Sequence, residues 1–239
     1  TIVCKVALSI LLLIGSLCLI SFTSQHIFQK ISMDMETKTA IKGMSGRIVS
    51  NIYYSSDGKM VSYYSEPEPL IVINNRKGDI TMYNIRDNAV SSQQNYIFST
   101  ETNQLYYFLD NKKADLGLSS IGYTIKETKF EDGLKVTIWI PPVNLAGEIS
   151  KVEMVHEKSN PIYMAYYGKN NNPLKKIYFY NYKKLNDYIT LPNTVTQINF
   201  VTSSDSVIMK TTYSNFKLNQ EVDETKLNFV VPANARIAK

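Results

Sequence analysis

Apolar and polar residues alternate along most of the chain beyond residue 25. Residues 26–36, 46–54 and 59–65 carry apolar side chains at nearly every second position, which is the period of a strand with one buried face. Comparable stretches, most of them separated by turn residues, follow at 123–130, 134–140, 148–157, 162–168, 174–183, 195–202 and 207–218. We count about eleven strands, at the spacing typical of a β-sandwich or barrel. The pattern therefore predicts a mainly β protein built as an antiparallel meander.

The clearest hairpin lies in residues 63–84. An apolar run at 70–73 and a returning strand at 80–83 flank a polar turn, in which Gly78 supplies the positive φ that a tight turn between strands requires. Pro67 and Pro69 lack a backbone donor and therefore belong at the edge or the start of a strand. No catalytic side chain lies in this stretch. The hairpin indicates a sheet scaffold whose function depends on a surface or a cavity.

The alternation stops between residues 95 and 122, where a helix is predicted. Ser99 is a suitable N-cap, and Leu105, Phe108 and Leu109 follow at positions i, i+3 and i+4 of one helical face. The polar residues 111–113 predict its end, and residues 114–120 form either a second short helix or a loop. We expect one or two helices to cover the sheet.

The first residues predict export from the cytoplasm. Lys5 precedes an apolar run at residues 6–22, and small and polar residues follow, which is typical of a cleaved signal peptide covering residues 1–24. A retained membrane anchor is the alternative, since the run has about the minimum length that spans a bilayer. Cys4 and Cys18 both lie in this segment. The processed domain, residues 25–239, would therefore contain no thiol and no disulfide.

Composition and residue spacing argue against several classes of function. The net charge of +5 is typical of lysine-rich solvated loops and does not imply nucleic-acid binding, although it is compatible with mild attraction to anionic lipid headgroups. His26 and His156 have no neighbours at a metal-ligand spacing, so we expect neither a metal nor a cofactor. Glu66 and Glu68 alternate with prolines at a strand edge, where paired acid–base catalysis is not expected. We expect a protein without enzymatic activity.

The remaining candidate site is an apolar surface on one face of the curved sheet, partly covered by the predicted helix. Its residues would line a lipid-binding cavity: Ile31, Met33, Ile48, Ile52, Met60, Ile71, Ile73, Leu105, Phe108, Leu109, Ile138, Ile140, Met154, Met164 and Met209. The alternative is that the same residues form a packed core beneath the helix. Eight methionines favour a cavity, because unbranched thioether side chains adapt to ligands of variable shape.

Three stretches together resemble the LolA-type carriers of outer-membrane lipoproteins. The first is the strand, proline-containing link, turn and returning strand YYSEPEPLIVINNRKGDITMYN at residues 63–84. Residues 28–54 are similar to the first hairpin of that family. Residues 223–236, DETKLNFVVPANAR, are similar to its C-terminal ending. The resemblance covers most of residues 25–239 and supports the fold more than the activity.

The resemblance implies an unclosed β-barrel capped by helices, located in the periplasm and acting as a monomer. In that family the acyl chains of a lipoprotein leave an inner-membrane ABC transporter, occupy the hydrophobic cavity and pass to an outer-membrane acceptor, without any covalent chemistry. This chain would then carry lipoprotein acyl chains or another lipid. A cell-envelope sensor or protein-interaction module on the same scaffold is the alternative function.

The sequence departs from the family pattern at two places. The carriers have an amphipathic helix before the first strand, whereas here the alternation begins almost at the predicted cleavage point. They also have an arginine before the strand that enters the proline-containing link, and this arginine holds the helical lid. Residues 55–58 (SSDG) occupy that region here, and Arg47 and Arg76 are not obvious substitutes by position.

Overall fold

A computed structural model describes residues 28–202 and 205–238 of the chain. The predicted signal segment 1–24, with both cysteines, and His26 lie outside the described residues. The described strands have these bounds: β1 Lys30–Ile41, β2 Met44–Ser55, β3 Met60–Glu66, β4 Leu70–Asn74, β5 Asp79–Asn84, β6 Ala89–Gln94, β7 Thr124–Glu131, β8 Leu134–Ile140, β9 Lys151–Glu157, β10 Asn160–Tyr167, β11 Pro173–Lys184, β12 Thr190–Phe200, β13 Ser206–Leu218 and β14 Arg236–Ile237.

All of these strands belong to one curved sheet in the order β14-β6-β5-β4-β3-β2-β1-β13-β12-β11-β10-β9-β8-β7. Neighbours pair antiparallel, except that β14 pairs parallel with β6. The two edge strands, β14 and β7, are not neighbours, so the barrel is unclosed. The predicted mainly β, unclosed architecture is confirmed. The described residues contain fourteen strands instead of about eleven, and the short strands β6 and β14 at one end of the sheet account for part of the difference.

Helical segments are few and short. One α-helix, α1, covers Gln104–Leu109, and a second, α2, covers Glu224–Leu227. Two 3-10 helices precede α1, at Tyr96–Phe98 and Thr100–Thr102, and another follows at Ser119–Ile121. We refer to residues 96–123 as the cover. None of the helices in the described part of the chain is long and apolar enough to cross a membrane.

The cover shows that the sheet is strongly curved. At its start, the carbonyl of Phe98 accepts a hydrogen bond from Asn74 on β4, while near its end the carbonyl of Lys113 lies 3.4 Å from the ring of His156 on β9. β4 and β9 are eight positions apart in the sheet, which is about 38 Å in a flat sheet. A segment folded into helical turns is too compact to span that distance. The sheet therefore curves around the cover, and the covered face is its inner face.

Most of the apolar core lies between the inner face and the cover. Buried side chains from eight strands, among them Ile31, Tyr54, Val152 and Phe179, pack against helix α1 and residues 116–123. The ring of Phe108 lies 5.6 Å from that of Phe179, centroid to centroid. Burying each large apolar side chain contributes about 1.5–3 kcal/mol. This cluster fixes the position of the cover on the sheet.

A smaller cluster lies on the outer face. The segment after α2 runs back across β2–β6, where Leu227 and Phe229 pack on Val61, Ile71 and Tyr83. Tyr63 donates a hydrogen bond from its hydroxyl to the carbonyl of Lys226, 2.8 Å away, and β14 then pairs with β6. The C-terminal segment therefore covers one part of the outer face of the sheet. Among the described residues, no comparable segment lies on the outer face at the β7 end of the sheet, and every residue of β7 is exposed.

Candidate lipid-binding face

Most of the residues predicted to line a cavity are packed together under the cover. They belong to the inner cluster: Ile31, Met33, Ile52, Met60, Leu105, Phe108, Leu109, Met154 and Met164. Each is at most 5% exposed, and Ile31 and Met154 are fully buried. These side chains contact one another and the cover. In this conformation they form core, which is the alternative that the sequence left open.

Four predicted lining residues lie on the outer face. On β4, Ile71 and Ile73 alternate with Val72, and both pack in the outer cluster beneath the C-terminal segment. On β8, Ile138 and Ile140 alternate with Thr137 and Trp139, which face the inner cluster. Side chains of adjacent residues in a strand point to opposite faces. The structure therefore separates these four residues from the inner face, contrary to the expectation that all the candidates share one face.

The inner face continues beyond the cluster as a partly exposed apolar surface. We call it the open patch, and it comprises Ile48, Tyr64, Leu70, Val72, Met82 and Met209. Strand register sets its geometry, because Tyr64 lies opposite both Ser50 and Leu70, and Val72 lies opposite both Ser62 and Met82. Ile48 and Met209 were predicted from the sequence, and the other four were not. A signal existed for one of these, since Tyr64 keeps phase with Met60 on β3.

The open patch is uncharged at neutral pH. Burial raises the pKa of Tyr64, and burial together with the nearby Tyr64 raises the pKa of Tyr213 to about 12. Both phenols therefore stay protonated. The hydroxyl oxygen of Ser50 is buried, and within the described residues it has no hydrogen-bond partner. An unpartnered buried oxygen is uncommon in folded proteins, and here it lies in the row that joins Tyr213 to Tyr64.

A polar strip borders the inner face on β10–β12. Lys175 lies opposite Tyr166 and Asn199, and its ammonium lies 5.9 Å from the centroid of the Tyr166 ring. Gln197 donates a hydrogen bond from its amide nitrogen to Asn199, 3.0 Å away. Burial lowers the pKa of Lys175, and no carboxylate in the described part of the chain lies within 4.0 Å of its ammonium. The inner face therefore carries an apolar surface with a polar border.

The start of the cover is attached by hydrogen bonds to two turns of the sheet. Thr100 is fully buried and donates from its hydroxyl to the carbonyl of Gly58, 2.9 Å away. Ser99 donates to the carbonyl of Arg76 at 2.6 Å. Gly78 has a φ of +80°, and a Cβ there would lie 2.3 Å from the carbonyl oxygen of Asn95. Glycine at this turn thus permits the close approach of the chain that enters the cover.

Arg76 connects the cover to the sheet, although its place in the sequence did not suggest this role. Its guanidinium donates to the carbonyl of Ser56 at 2.7 Å and lies 3.8 Å from the carboxylate of Glu101 in the cover. The neighbouring hydroxyl of Tyr54 and the carboxylate of Glu101 raise the pKa of Arg76 despite its partial burial. An arginine therefore holds the cover here, from the β4–β5 turn.

The end of the cover is attached more weakly, next to a buried histidine. Lys113 donates from its ammonium to the side-chain oxygen of Asn160, 2.8 Å away. His156 is 2% exposed, and burial lowers its pKa, so that its ring is neutral at physiological pH. One ring nitrogen lies 3.4 Å from the carbonyl of Lys113, and the other, Nδ1, is buried without a partner among the described residues. Few polar contacts therefore fix this end of the cover.

Residues that could support catalysis are scattered. In residues 28–202 and 205–238, no three side chains of His, Cys, Asp or Glu lie close enough to hold a metal ion. His156 has Lys135 and Pro161 as cross-strand neighbours, with no carboxylate to orient its ring. The arrangement around the open patch can bind an apolar chain, while its polar border can contact a headgroup.

Three solved structures resemble the chain over most of its length. A DUF1329 family protein from Desulfovibrio piger has a TM-score of 0.57 at 14% identity, covering 84% of this chain and 90% of its own. A LolA superfamily protein from Nitrosomonas europaea gives 0.54 at 10% identity, covering 83% and 90%. The fold is LolA-like. A putative outer membrane lipoprotein-sorting protein domain from Vibrio parahaemolyticus gives 0.55 at 14% identity, covering 84% and 89%.

Neither a protein-family model nor a curated protein matches the chain by sequence. Identities of 10–14% to the solved structures establish the fold alone. The resemblance seen in residues 28–54, 63–84 and 223–236 therefore identified the correct fold.

Proposed function

We propose that the protein binds the acyl chain of a lipoprotein, or of another amphiphile, on its inner face. The observation that carries the proposal is the open patch, an apolar and uncharged surface that lies inside a curved sheet next to a packed cover. Similar folds include a putative lipoprotein-sorting domain, which supports the proposal by analogy of fold. The protein acts as a carrier or chaperone and makes or breaks no covalent bond.

Binding proceeds by burial of methylene groups. Each methylene removed from water contributes about 0.8 kcal/mol, so six or seven of them on the open patch give roughly 5 kcal/mol. Longer chains need more surface than the patch offers. The cover then moves away from the inner cluster, and residues such as Met33, Met154 and Met164 exchange their contacts with Phe108 and Leu109 for contacts with the chain. The packed core is the closed state of the carrier.

The carrier works in the periplasm and takes its cargo from an inner-membrane transporter to an outer-membrane acceptor. The apolar run at residues 6–22 supports export, either with cleavage or with retention as an anchor. The likeness of the fold to lipoprotein-sorting and LolA superfamily proteins supports this route. The protein acts as a monomer, and it needs neither metal nor cofactor.

The proposal is tested with two neighbouring residues on opposite faces of β5. Met82 is in the open patch and Thr81 is on the outer face, where it lies 3.0 Å from the hydroxyl of Ser92. Met82→Lys places a charge on the apolar surface and is expected to raise the Kd for an apolar fluorescent dye about tenfold or more. Thr81→Lys is the control and leaves the Kd unchanged. Displacement of the dye by a palmitoylated peptide measures the affinity for cargo.

Equal effects of the two substitutions, or dye binding that palmitoylated peptide does not displace, would rule out the inner face as the site. The thermal midpoint of each variant shows whether it is folded. Native mass spectrometry of protein purified from periplasm then gives the mass of the bound amphiphile.

A protein-interaction module on the same scaffold is the second candidate. The packing of nine predicted lining residues into a solid core favours it, because a filled barrel leaves less room for cargo. This function predicts a protein partner that is captured by crosslinking in cells. It also predicts that capture is the same for Met82→Lys and for the unmodified protein, since no lipid is involved.

A further inference from the structure

The hairpin tips at the end of the sheet away from the cover expose apolar residues. The β1–β2 and β12–β13 hairpins lie side by side because β1 pairs with β13, and Lys42 on one forms a 2.8 Å salt bridge with Asp205 on the other. Met44 is 67% exposed and Val201 is 65% exposed. On the adjoining outer face, Ile208 is 42% exposed. Exposed apolar residues grouped in this way are typical of a binding surface.

Three cations lie directly behind these tips in one row across the sheet. Lys38 is the cross-strand partner of Arg47 on one side and of Lys210 on the other. Like charges in directly opposite positions destabilise a sheet. Two carboxylates compensate part of this repulsion: Glu36 lies 3.2 Å from Lys38 and 2.9 Å from Arg47, and Glu66 lies 2.6 Å from Arg47. Lys210 has no carboxylate within 4.0 Å in the described residues, so the row keeps an uncompensated positive charge.

A groove joins the apolar residues to the cations. It has a volume of about 450 Å³ and is lined by Lys38, Thr39, Ala40, Ser45, Gly46, Arg47, Ile208 and Lys210. Its floor is the row Ser45–Ala40–Ile208, which has no charge. Exposed apolar residues at the tips, with lysine and arginine one row behind them, are complementary to a membrane surface, in which acyl chains lie beneath a layer of phosphate groups.

We propose that the surface formed by Met44, Val201, Ile208 and the three cations docks on a bilayer that contains anionic phospholipid. Met44 and Val201 enter the headgroup layer, while Lys38, Arg47 and Lys210 contact phosphate groups. Ile48 and Met209 of the open patch lie on these same strands, four pairs from the end of the β1–β2 hairpin and three pairs from the end of the β12–β13 hairpin, respectively. Docking therefore brings the membrane to the open patch, so that an amphiphile has a short path between them. The docking itself does not depend on whether cargo is bound.

The first test is a lysine footprint of the full chain. Acetylation of each lysine is measured by mass spectrometry with vesicles of phosphatidylethanolamine and phosphatidylglycerol, and with neutral vesicles of phosphatidylcholine. We expect the acetylation of Lys38, Lys42 and Lys210 to fall severalfold with the anionic vesicles only. Lys126 and Lys129 on edge strand β7 are the internal controls and should remain reactive. Equal protection by both kinds of vesicle, or equal protection of all lysines, would overturn the proposal.

The second test compares two double variants with the same change in net charge. Lys38→Gln/Lys210→Gln is expected to reduce the preference for anionic over neutral vesicles about thirtyfold, since each lysine near an anionic surface contributes a factor of about five. Lys126→Gln/Lys129→Gln should leave the preference unchanged. The ratio of the two vesicle affinities cancels any contribution from the apolar residues 6–22. Dye displacement should be normal in both variants, which separates this proposal from that of cargo binding.

Discussion

At the residue scale, Arg76 joins three parts of the molecule through its side chain and its backbone carbonyl. Its guanidinium donates to Ser56, its carbonyl accepts from Ser99, and Glu101 lies 3.8 Å away. Its methylene groups occupy the space that a Cβ on Gly58 would need, since such an atom would lie 2.3 Å from the Cγ of Arg76. Arg76 therefore holds the cover to the β2–β3 and β4–β5 turns at once, by side-chain contacts with Ser56 and Glu101 and a backbone contact with Ser99.

Replacing Arg76 by alanine is expected to release the start of the cover while leaving the sheet intact. Loss of the hydrogen bond to Ser56 should lower the free energy of unfolding by about 1 kcal/mol. Amide hydrogen exchange is the more specific measurement, because the amides of Thr100 and Thr102 should exchange faster while those of β1 and β13 do not change. Arg86→Ala is the matched control, since Arg86 is exposed. Faster exchange throughout the chain would contradict a local role.

Individual residues also explain why the isoleucines of β4 and β8 were predicted on the wrong face. Residues 70–73 are apolar without interruption because β4 contributes Leu70 and Val72 to the open patch on its inner face, while the C-terminal segment covers Ile71 and Ile73 on its outer face. No alternation therefore marks either side. On β8 the inner face carries Thr137 and Trp139, and Trp139 donates to the hydroxyl of Thr137 at 3.0 Å. Because Thr137 is polar, the alternation favoured Ile138 as the residue that faces the core, although Ile138 lies on the outer face.

At the element scale, the cover is held at its start by hydrogen bonds and at its centre by one aromatic residue. Phe108 is 3% exposed, and its ring centroid lies 5.6 Å from that of Phe179 and 6.3 Å from that of Tyr182. These two rings belong to β11, which lies several strands away in the sheet from the turns that bind Thr100, although on the same inner face. The Phe108 ring therefore keeps the cover closed over the inner cluster.

Phe108→Ala should open the cover at its centre. Removing a buried phenylalanine ring costs about 3–5 kcal/mol of unfolding free energy, measured by urea denaturation. If the cover closes a lipid site, the cavity left behind should also increase the amount of apolar dye that binds. Tyr96→Ala is the control within the same segment, because Tyr96 is 63% exposed. A destabilised variant that binds no more dye than the control would indicate that Phe108 has a structural role only.

The cover also shows where prediction of elements from the sequence reached its limit. Residues 99–111 were predicted as one helix, and the structure has a 3-10 turn and then α1 over this range. The side chains of Asn95, Ser99 and Asn103 each accept a hydrogen bond from the backbone two residues later. Each of them starts a new helical turn, and Ser99 and Asn103 also end the previous one. The apolar spacing was correct for α1, and the local capping bonds divided the remainder.

At the scale of the whole molecule, alternation and turn residues were enough to predict the architecture but not the open patch. A meander is a succession of local pairs, and each strand signal can be read from a few neighbouring residues. The inner surface instead depends on pairs such as Met35 with Tyr213, which are far apart in the sequence. The bulge between Ser32 and Asp34 also shifts the register of β1 against β13. No local pattern contains that information.

Tyrosine burial is a property of the whole molecule and sets its upper pH limit. Eleven of the seventeen tyrosines have a raised pKa, with burial as the main cause, and the pKa of Tyr63 and that of Tyr213 rise to about 12. For each of these groups the folded state favours the neutral phenol. Their contribution to stability is therefore complete below pH 10, the ordinary pKa of tyrosine, and is lost as the pH rises towards about 12.

We therefore expect the protein to unfold cooperatively between pH 10 and about pH 12, with phenolate absorbance and far-ultraviolet circular dichroism changing together. Tyr213→Phe removes one ionisable phenol from the inner face and should shift this transition to higher pH. Tyr188→Phe is the control, because the Tyr188 side chain is 67% exposed, so that folding does not bury its phenol. If phenolate forms in full while the circular dichroism stays native, then the tyrosines of the inner face are accessible to hydroxide. The open patch would in that case be a wetter surface than acyl-chain binding requires.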